Sequence, residues 1–269
     1  MEQLKLGIGA LPGTDKTVCQ QIVMIRQIGF DAFFTRWDAS VGEYRRLAED
    51  TGLEYAFLHG PNRYSQQMWT DSPEAELGVE EWFRCLEDCA AHRIPMVIAH
   101  AYKGLTIPAV PRLEGLRNYG RILERAKELG VMVALENAEG NACLGALLDA
   151  YAGDRKVGFC WDTGHTLCYG SWENMGQRYG DRLACTHLHD NMGIRSRTGE
   201  CATADDLHLL PFDGKVPWQE VTDSLRASGY RGILMLEVKK KCYPDMDTRV
   251  FLEEAYRRGC RLREMCGGL

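Results

Sequence analysis

Acidic and histidine side chains recur in this sequence at one kind of place, where a segment of β-strand character ends. Six of the seven histidines and three acidic residues stand at or just past such an end, whereas His92 lies in a helical stretch. The nine residues are His59, His100, His165, His187, His189, His208, Glu136, Asp162 and Glu237. Because imidazoles and carboxylates are common ligands of divalent metals, the pattern predicts one polar centre that can bind a metal.

Short segments of β-strand character alternate with amphipathic segments along the whole chain. The predicted strands are residues 4–10, 30–37, 54–60, 95–101, 131–138, 157–165, 183–191 and 231–238. Apolar residues recur between them at spacings of three and four, and several of these helical patterns end in a glycine, at Gly29, Gly130 and Gly229. Eightfold alternation predicts an α/β fold, a single-domain (β/α)8 TIM barrel over residues 1–269.

The alternative architecture is an open, doubly wound sheet, which usually has a glycine-rich phosphate loop after its first strand. The segment GIGALPGTD, at the end of the first predicted strand, is glycine-rich but lacks the G-x-G-x-x-G spacing. The closed barrel is therefore favoured, and its active site is expected at the C-terminal ends of the strands.

Four of the strand-end residues come from the fifth to the eighth predicted strands: Glu136, Asp162, His187 and Glu237. Three carboxylates that converge on an imidazole would repel one another without a cation, so we predict one divalent metal bound by these four residues. The oxygen-rich set suits Mn²⁺, Mg²⁺ or Co²⁺, and Zn²⁺ also binds such sites, so the identity of the metal stays open. His189 shares a strand face with His187 and is an alternative ligand.

Other polar and aromatic residues near the strand ends are interpreted as substrate-binding residues. They are His59, His100, His165, His189, His208, Trp37 and Arg195. For His59 and His100, a structural role as hydrogen-bonded histidines in the barrel mouth is an equal alternative. Trp37 could equally be part of the core, and Asp206 with His208 could chelate an additional metal.

Composition limits the classes of function. A net charge of −6 disfavours sequence-independent binding of nucleic acid, which needs a concentrated basic surface. No apolar run approaches the roughly 20 residues that span a bilayer, and the first residues lack the apolar stretch of a signal peptide. Eleven scattered cysteines without a C-x-x-C pair are interpreted as reduced thiols. We therefore expect a cytoplasmic protein without a membrane partner.

With the strand ends placed, the chain resembles the xylose isomerase-like barrel superfamily of sugar and sugar-phosphate isomerases and epimerases, which includes apurinic endonucleases. The motifs that carry the resemblance are ALENA at Glu136, WDTGH at Asp162 and His165, HLHDN at His187 and Asp190, DLH at Asp206 and His208, and LMLE at Glu237. The family's H-x-x-D pattern favours His187 over His189 as the metal ligand. The segment LLPFDGKVPW departs from the family's usual Pro-Gly-x-Gly turn at Phe212 and Asp213.

This resemblance implies a divalent-metal-dependent isomerase or epimerase that acts on a small sugar, sugar phosphate or keto-polyol. The reaction would move a proton α to a carbonyl through an enediolate, with Glu136 and Glu237 on opposite sides of the substrate. The predicted partners are this polyhydroxy carbonyl compound and, in a homo-oligomer, further copies of the chain.

Three alternatives stay open. The first is a zinc-dependent phosphodiesterase acting at abasic DNA sites, because nine residues match those that such enzymes use for three zinc ions. They are His59, His100, Glu136, Asp162, His165, His187, Asp206, His208 and Glu237. The acidic chain and the lack of an evident basic, aromatic DNA-penetrating loop count against it. The others are an inosose-type keto-polyol dehydratase and a sugar-binding barrel without catalysis.

Overall fold

A computed structural model describes residues 3–169 and 172–267. The eight predicted strands are all present, and each is shorter than predicted. Their bounds are β1 (Leu6–Gly9), β2 (Ala32–Arg36), β3 (Glu54–His59), β4 (Met96–His100), β5 (Met132–Glu136), β6 (Val157–Asp162), β7 (Leu183–His187) and β8 (Leu234–Leu236). The strands form one sheet in the order β7-β6-β5-β4-β3-β2-β1-β8.

The two ends of this strand order are joined just past β7. The N–H of Leu188 donates to the carbonyl of Met235 in β8 at 2.8 Å, and the N–H of Glu237 donates back to Leu188 at 3.2 Å. The pairing at this bridge is parallel, as in the neighbouring pair β1–β8. A parallel sheet whose ends meet is a barrel, which confirms the predicted (β/α)8 fold.

Helices follow the strands as the apolar spacing predicts. They are α1 (Val18–Ile28), α2 (Val41–Thr51), α3 (Pro73–Ala91), α4 (Leu113–Glu128), α5 (Asn141–Ala150), α6 (Thr163–Cys168), α7 (Met175–Tyr179), α8 (Trp218–Ala227) and α9 (Thr248–Met265). Gly29 ends α1 in the left-handed conformation, with a φ of 116°. His92 caps α3 instead of lying inside it. In the described ranges no helix is long and apolar enough to cross a membrane.

The chain divides into two compact units. The first unit comprises Met1–Thr35, Gly42–Tyr55 and Trp161–Leu269. In it, α9 packs on β1 where Gly259 leaves room for Leu6, because a Cβ atom at Gly259 would collide with the leucine side chain.

The second unit comprises Arg36–Val41 and Ala56–Cys160 and contains β4 and β5 side by side. Gly115 in α4 lies against the ring of Trp69, whose indole N–H donates to the carbonyl of Ala101 at 2.7 Å. Two arginines of α4, Arg121 and Arg125, form ion pairs with glutamates of α3. The prediction that residues 1–269 form a single domain stays a prediction.

Phe212, where the sequence departs from the family's usual turn, has a left-handed backbone conformation. Phe212 has a φ of 76°, a conformation that costs a non-glycine residue on the order of 1–2 kcal/mol. The guanidinium of Arg261 lies 3.9 Å from the centre of its ring, and the ring of Trp218 lies 5.7 Å away. These contacts offset the backbone cost that a glycine would avoid.

Candidate active site

Asp162 ends β6 and is the N-cap of α6, in the first unit. Its Oδ1 atom accepts the backbone N–H of His165 at 2.6 Å, so the positive end of the helix stabilises the carboxylate. The Nε2 atom of His189 lies 2.9 Å from Oδ1 and 3.0 Å from Oδ2. The predicted ligand is therefore fully buried and held from two directions.

His187 and Glu237 lie beside Asp162 in the same unit. The His187 Nδ1 atom is 3.3 Å from Oε2 of Glu237, and its ring stacks on Phe34 at 4.9 Å between centroids. One possible ligand atom from each of Asp162, His187 and Glu237 lies within 4.8 Å of the others. Three of the four predicted metal ligands thus converge within the first unit, and Glu237, the most exposed of them, is 4% exposed.

A second group in the first unit contains predicted substrate-binding residues. Its members are His165, His189, Asp206 and His208, with their ligand atoms within 4.8 Å of one another. The Nε2 atom of His208 is 2.7 Å from Oδ2 of Asp206, and the His189 and His208 rings stack at 4.0 Å. This group could also hold a cation.

The second unit contains a third group, formed by His59, His100 and Glu136. The Nε2 atoms of His59 and His100 lie 3.5 Å and 3.0 Å from Oε2 of Glu136. The two Nε2 atoms are 3.3 Å apart. Both histidines are thus brought to a predicted catalytic carboxylate, as the strand-end pattern implies.

Two histidine rings lie between a backbone carbonyl and a carboxylate. His59 Nδ1 lies 3.1 Å from the carbonyl oxygen of Gly60, and His208 Nδ1 lies 2.7 Å from that of Glu237. A carbonyl and an ionised carboxylate both only accept, so a neutral ring, which carries one proton, leaves one of its two facing acceptors without a donor. A divalent cation, or the hydroxyl hydrogens of a polyhydroxy ligand, would satisfy such facing acceptors.

The pKa values of the second group shift in both directions. Burial lowers the pKa of His189, but the neighbouring Asp162 carboxylate outweighs burial and raises it above its usual value. Burial lowers the pKa of His208, and neighbouring His189 lowers it further, which favours the neutral ring. Burial raises the pKa of Asp206, but the nearby His208 and His165 imidazoles outweigh burial and keep the pKa below its usual value. In the described residues the Oδ1 atom of Asp206 is buried without a hydrogen-bond partner. A neutral imidazole and an ionised carboxylate are the forms that bind metals.

Gly164, in the WDTGH motif, makes the close approach of His189 to Asp162 feasible. A Cβ atom on Gly164 would collide with the His189 ring. Thr163 fixes the same segment, because its hydroxyl donates to the His189 carbonyl at 2.9 Å. The motif therefore contains one predicted ligand and leaves space for a neighbouring imidazole.

We expect Gly164→Ala to displace the His189 ring and to weaken metal binding by about 10–100-fold, the usual effect of losing a residue that orients a ligand. Calorimetric titration of the chelator-treated protein with Zn²⁺ measures the change in metal affinity. Gly153→Ala is the matched control, since nothing lies within 4 Å of a Cβ atom at Gly153. Unchanged affinity in Gly164→Ala would contradict the described role.

Two predicted substrate-binding residues have protein partners. The indole N–H of Trp37 donates to Asp88 at 2.7 Å, while its backbone N–H donates to the His59 carbonyl at 3.0 Å. Arg195 forms an ion pair with Asp205 at 2.9 Å. The structure thus places Trp37 beside His59 and ties Arg195 to an acidic neighbour, and their contact with substrate stays a prediction.

Sequence reasoning missed the structural role of Asp190. Its buried carboxylate accepts the backbone N–H groups of Asn191, Phe212 and Val216 at 2.8, 2.9 and 3.0 Å. It also accepts the indole N–H of Trp218 at 2.9 Å. Two sequence signals pointed to Asp190. One was its place in HLHDN, and the other was the turn LLPFDGKVPW, which it holds.

Comparisons with known proteins show similarity over most of the chain. Residues 22–264 match the family model described as xylose isomerase-like TIM barrel. The uncharacterized protein y4fM of Sinorhizobium fredii is 26% identical to this chain over an alignment 299 residues long. The alignment covers 93% of this chain and 90% of y4fM.

Two solved structures are similar over nearly their whole length. A D-allulose 3-epimerase from Methylomonas sp. has a TM-score of 0.75 at 16% identity, covering 98% of this chain and 99% of its own. The IOLI protein with a bound zinc atom has a TM-score of 0.84 at 14% identity, covering 99% and 100%. At these identities the two structures establish similarity of fold.

Proposed function

This chain belongs to the xylose isomerase-like TIM barrel family, and we propose that it is a divalent-metal-dependent isomerase or epimerase of a small polyhydroxy carbonyl compound. The observation that carries the proposal is the convergence of buried Asp162, His187 and Glu237 at strand ends. Similarity in fold to a D-allulose 3-epimerase supports a ketose as the substrate class.

The proposed metal ligands are Glu136, Asp162, His187 and Glu237. The donor set of carboxylates and one imidazole suits a divalent cation, and a zinc atom is bound in the structurally similar IOLI protein. Glu136 is the ligand contributed by β5, as the ALENA motif of the family implies. When bound, the cation would polarise the substrate carbonyl and stabilise the negative charge of an enediolate.

The carboxylates of Glu136 and Glu237 are the proposed proton carriers. One removes the proton from the carbon next to the carbonyl, and the other returns a proton to that carbon from the opposite side. Both side chains are almost completely buried, which excludes bulk water while the proton is transferred. The His59, His100, His165, His189 and His208 rings would hydrogen-bond substrate hydroxyls and orient the carbonyl.

Exchange of the α-proton tests this function directly. We expect the protein loaded with Mn²⁺, Co²⁺, Zn²⁺ or Mg²⁺ to exchange the proton at C3, or at C1, of a ketose for deuterium in D2O. Proton NMR of a ketose and keto-polyol panel that includes D-allulose measures the exchange. Activity removed by chelator and restored by one of these metals would support the proposal. Absence of exchange with every compound and metal would contradict it.

A second candidate is a zinc-dependent phosphodiesterase acting at abasic DNA sites. The specific observation in its favour is that His59 with His100, and His165 with Asp206 and His208, form further groups that could hold cations. Against it stands the net charge of −6. Cleavage of an abasic-site oligonucleotide by the zinc-loaded chain would favour this candidate over the epimerase.

A further inference from the structure

A cleft in the first unit is lined in part by the segment that directly follows Glu237 in the sequence. It lies between the loop after β1 and the segment after β8, and its empty space of about 470 Å³ includes a part open to solvent. Its lining includes Gly9, residues 11–14 and residues 238–241. Val238, which lines the cleft, directly follows the proposed proton carrier Glu237 in the sequence.

Three consecutive lysines, Lys239 to Lys241, line this cleft, and none of its lining residues is acidic. Lys239 is 3.8 Å from Asp206, which partly neutralises it. Within residues 3–169 and 172–267, no carboxylate lies at ion-pair distance from Lys240 or Lys241. Lys240 and Lys241 thus line the cleft without an ion-pair partner among the described residues, although the net charge of the chain is −6.

The opposite wall is the loop after β1, which a buried side chain holds in place. Buried Gln21 holds this loop by donating from Nε2 to the carbonyls of Leu11 at 2.8 Å and Lys16 at 3.2 Å. Gly13 has a φ of 104°, and no atom lies within 4 Å of the position that a Cβ atom would take. A ligand can therefore approach the backbone of the loop closely.

We propose that this cleft, here called the lysine cleft, binds the phosphate group of a phosphorylated sugar, so that the preferred substrate is a sugar phosphate. This inference rests on the proposed function. A phosphate monoester carries about −1.5 to −2 charges near neutral pH, which matches Lys240 and Lys241 together. A single carboxylate would leave one of the two cations without a counter-charge. Lysine binds phosphate as a point charge, whereas Arg195, a predicted substrate-binding residue, is paired with Asp205.

The substrate test compares D-allulose with its 6-phosphate. We expect the metal-loaded wild type to have the higher kcat/KM for the phosphate. The double variant Lys240→Gln/Lys241→Gln should lower the ratio of the two kcat/KM values by about tenfold for each lysine, roughly 100-fold in all. The control, Lys127→Gln/Lys156→Gln, removes the same charge from the second unit and should leave the ratio unchanged.

A binding test separates this inference from the proposed function. Inorganic phosphate is titrated into wild type and both double variants, with calorimetry as the readout. Loss of phosphate binding only in Lys240→Gln/Lys241→Gln supports the lysine cleft, even if neither sugar is turned over and the proposed function fails. Equal phosphate binding by all three proteins, or a wild type that prefers unphosphorylated D-allulose, would overturn the inference.

Discussion

Replacement of Glu237 by glutamine is expected to lower kcat on an epimerised ketose by about 10²–10⁴-fold, the usual contribution of a positioned acid or base. Glutamine keeps the shape of the side chain but cannot accept a proton from carbon. The backbone groups of Glu237 that bond Leu188 and His208 are unchanged, so the variant should fold. Initial rates measured by NMR give kcat, and the circular dichroism spectrum shows whether the variant folds.

Glu136→Gln should have an effect of the same order, because each carboxylate serves one face of the substrate. The matched control is Glu43→Gln, which makes the same chemical change at an exposed position of α2. If both active-site variants fold and keep full turnover, the two glutamates are not the proton carriers. If wild type and variants bind a sugar equally and none turns it over, the chain is a binding protein.

Asp190→Ala is expected to reduce the free energy of unfolding by at least about 4 kcal/mol. The substitution leaves three backbone N–H groups and the Trp218 indole N–H without their buried acceptor. Each unsatisfied buried donor costs about 1–3 kcal/mol. Urea unfolding followed by tryptophan fluorescence measures the loss.

Asp223→Ala provides the comparison for this measurement. Asp223 is half-exposed and pairs with Arg226 on the same helix, so its removal should cost less than about 1 kcal/mol. A loss below about 1 kcal/mol in Asp190→Ala as well would show that the Phe212 loop finds other acceptors.

The strand count and the positions of the site residues could be read from the sequence for one physical reason. In a parallel barrel all strands end at the same face, so polar residues that follow strands gather there whatever their separation in the chain. His187 and Glu237, fifty residues apart, meet in this way at 3.3 Å. The strands proved shorter than predicted, since apolar and polar residues continue the strand pattern into loops such as that after Leu236.

Features that depend on loop conformation could not be predicted. The link between Asp190 and Phe212 requires the chain to return to the same place after 22 residues. The lysine cleft exists because the sheet order brings β8, the last strand in the chain, beside β1, the first. The contacts of the His59 and His208 rings with backbone carbonyls depend on the directions of those carbonyls, which no residue pattern encodes.

Metal content per chain tests the central claim most directly. The protein, purified without chelator and then incubated with Mn²⁺ or Zn²⁺, is analysed by elemental mass spectrometry beside the variant Asp162→Ala. The account predicts about one divalent metal per wild-type chain and almost none in the variant, since Asp162 is a proposed ligand. No bound metal in the wild type would contradict the metal-dependent mechanism. Three zinc ions per chain, with cleavage of abasic DNA, would contradict the single-centre epimerase.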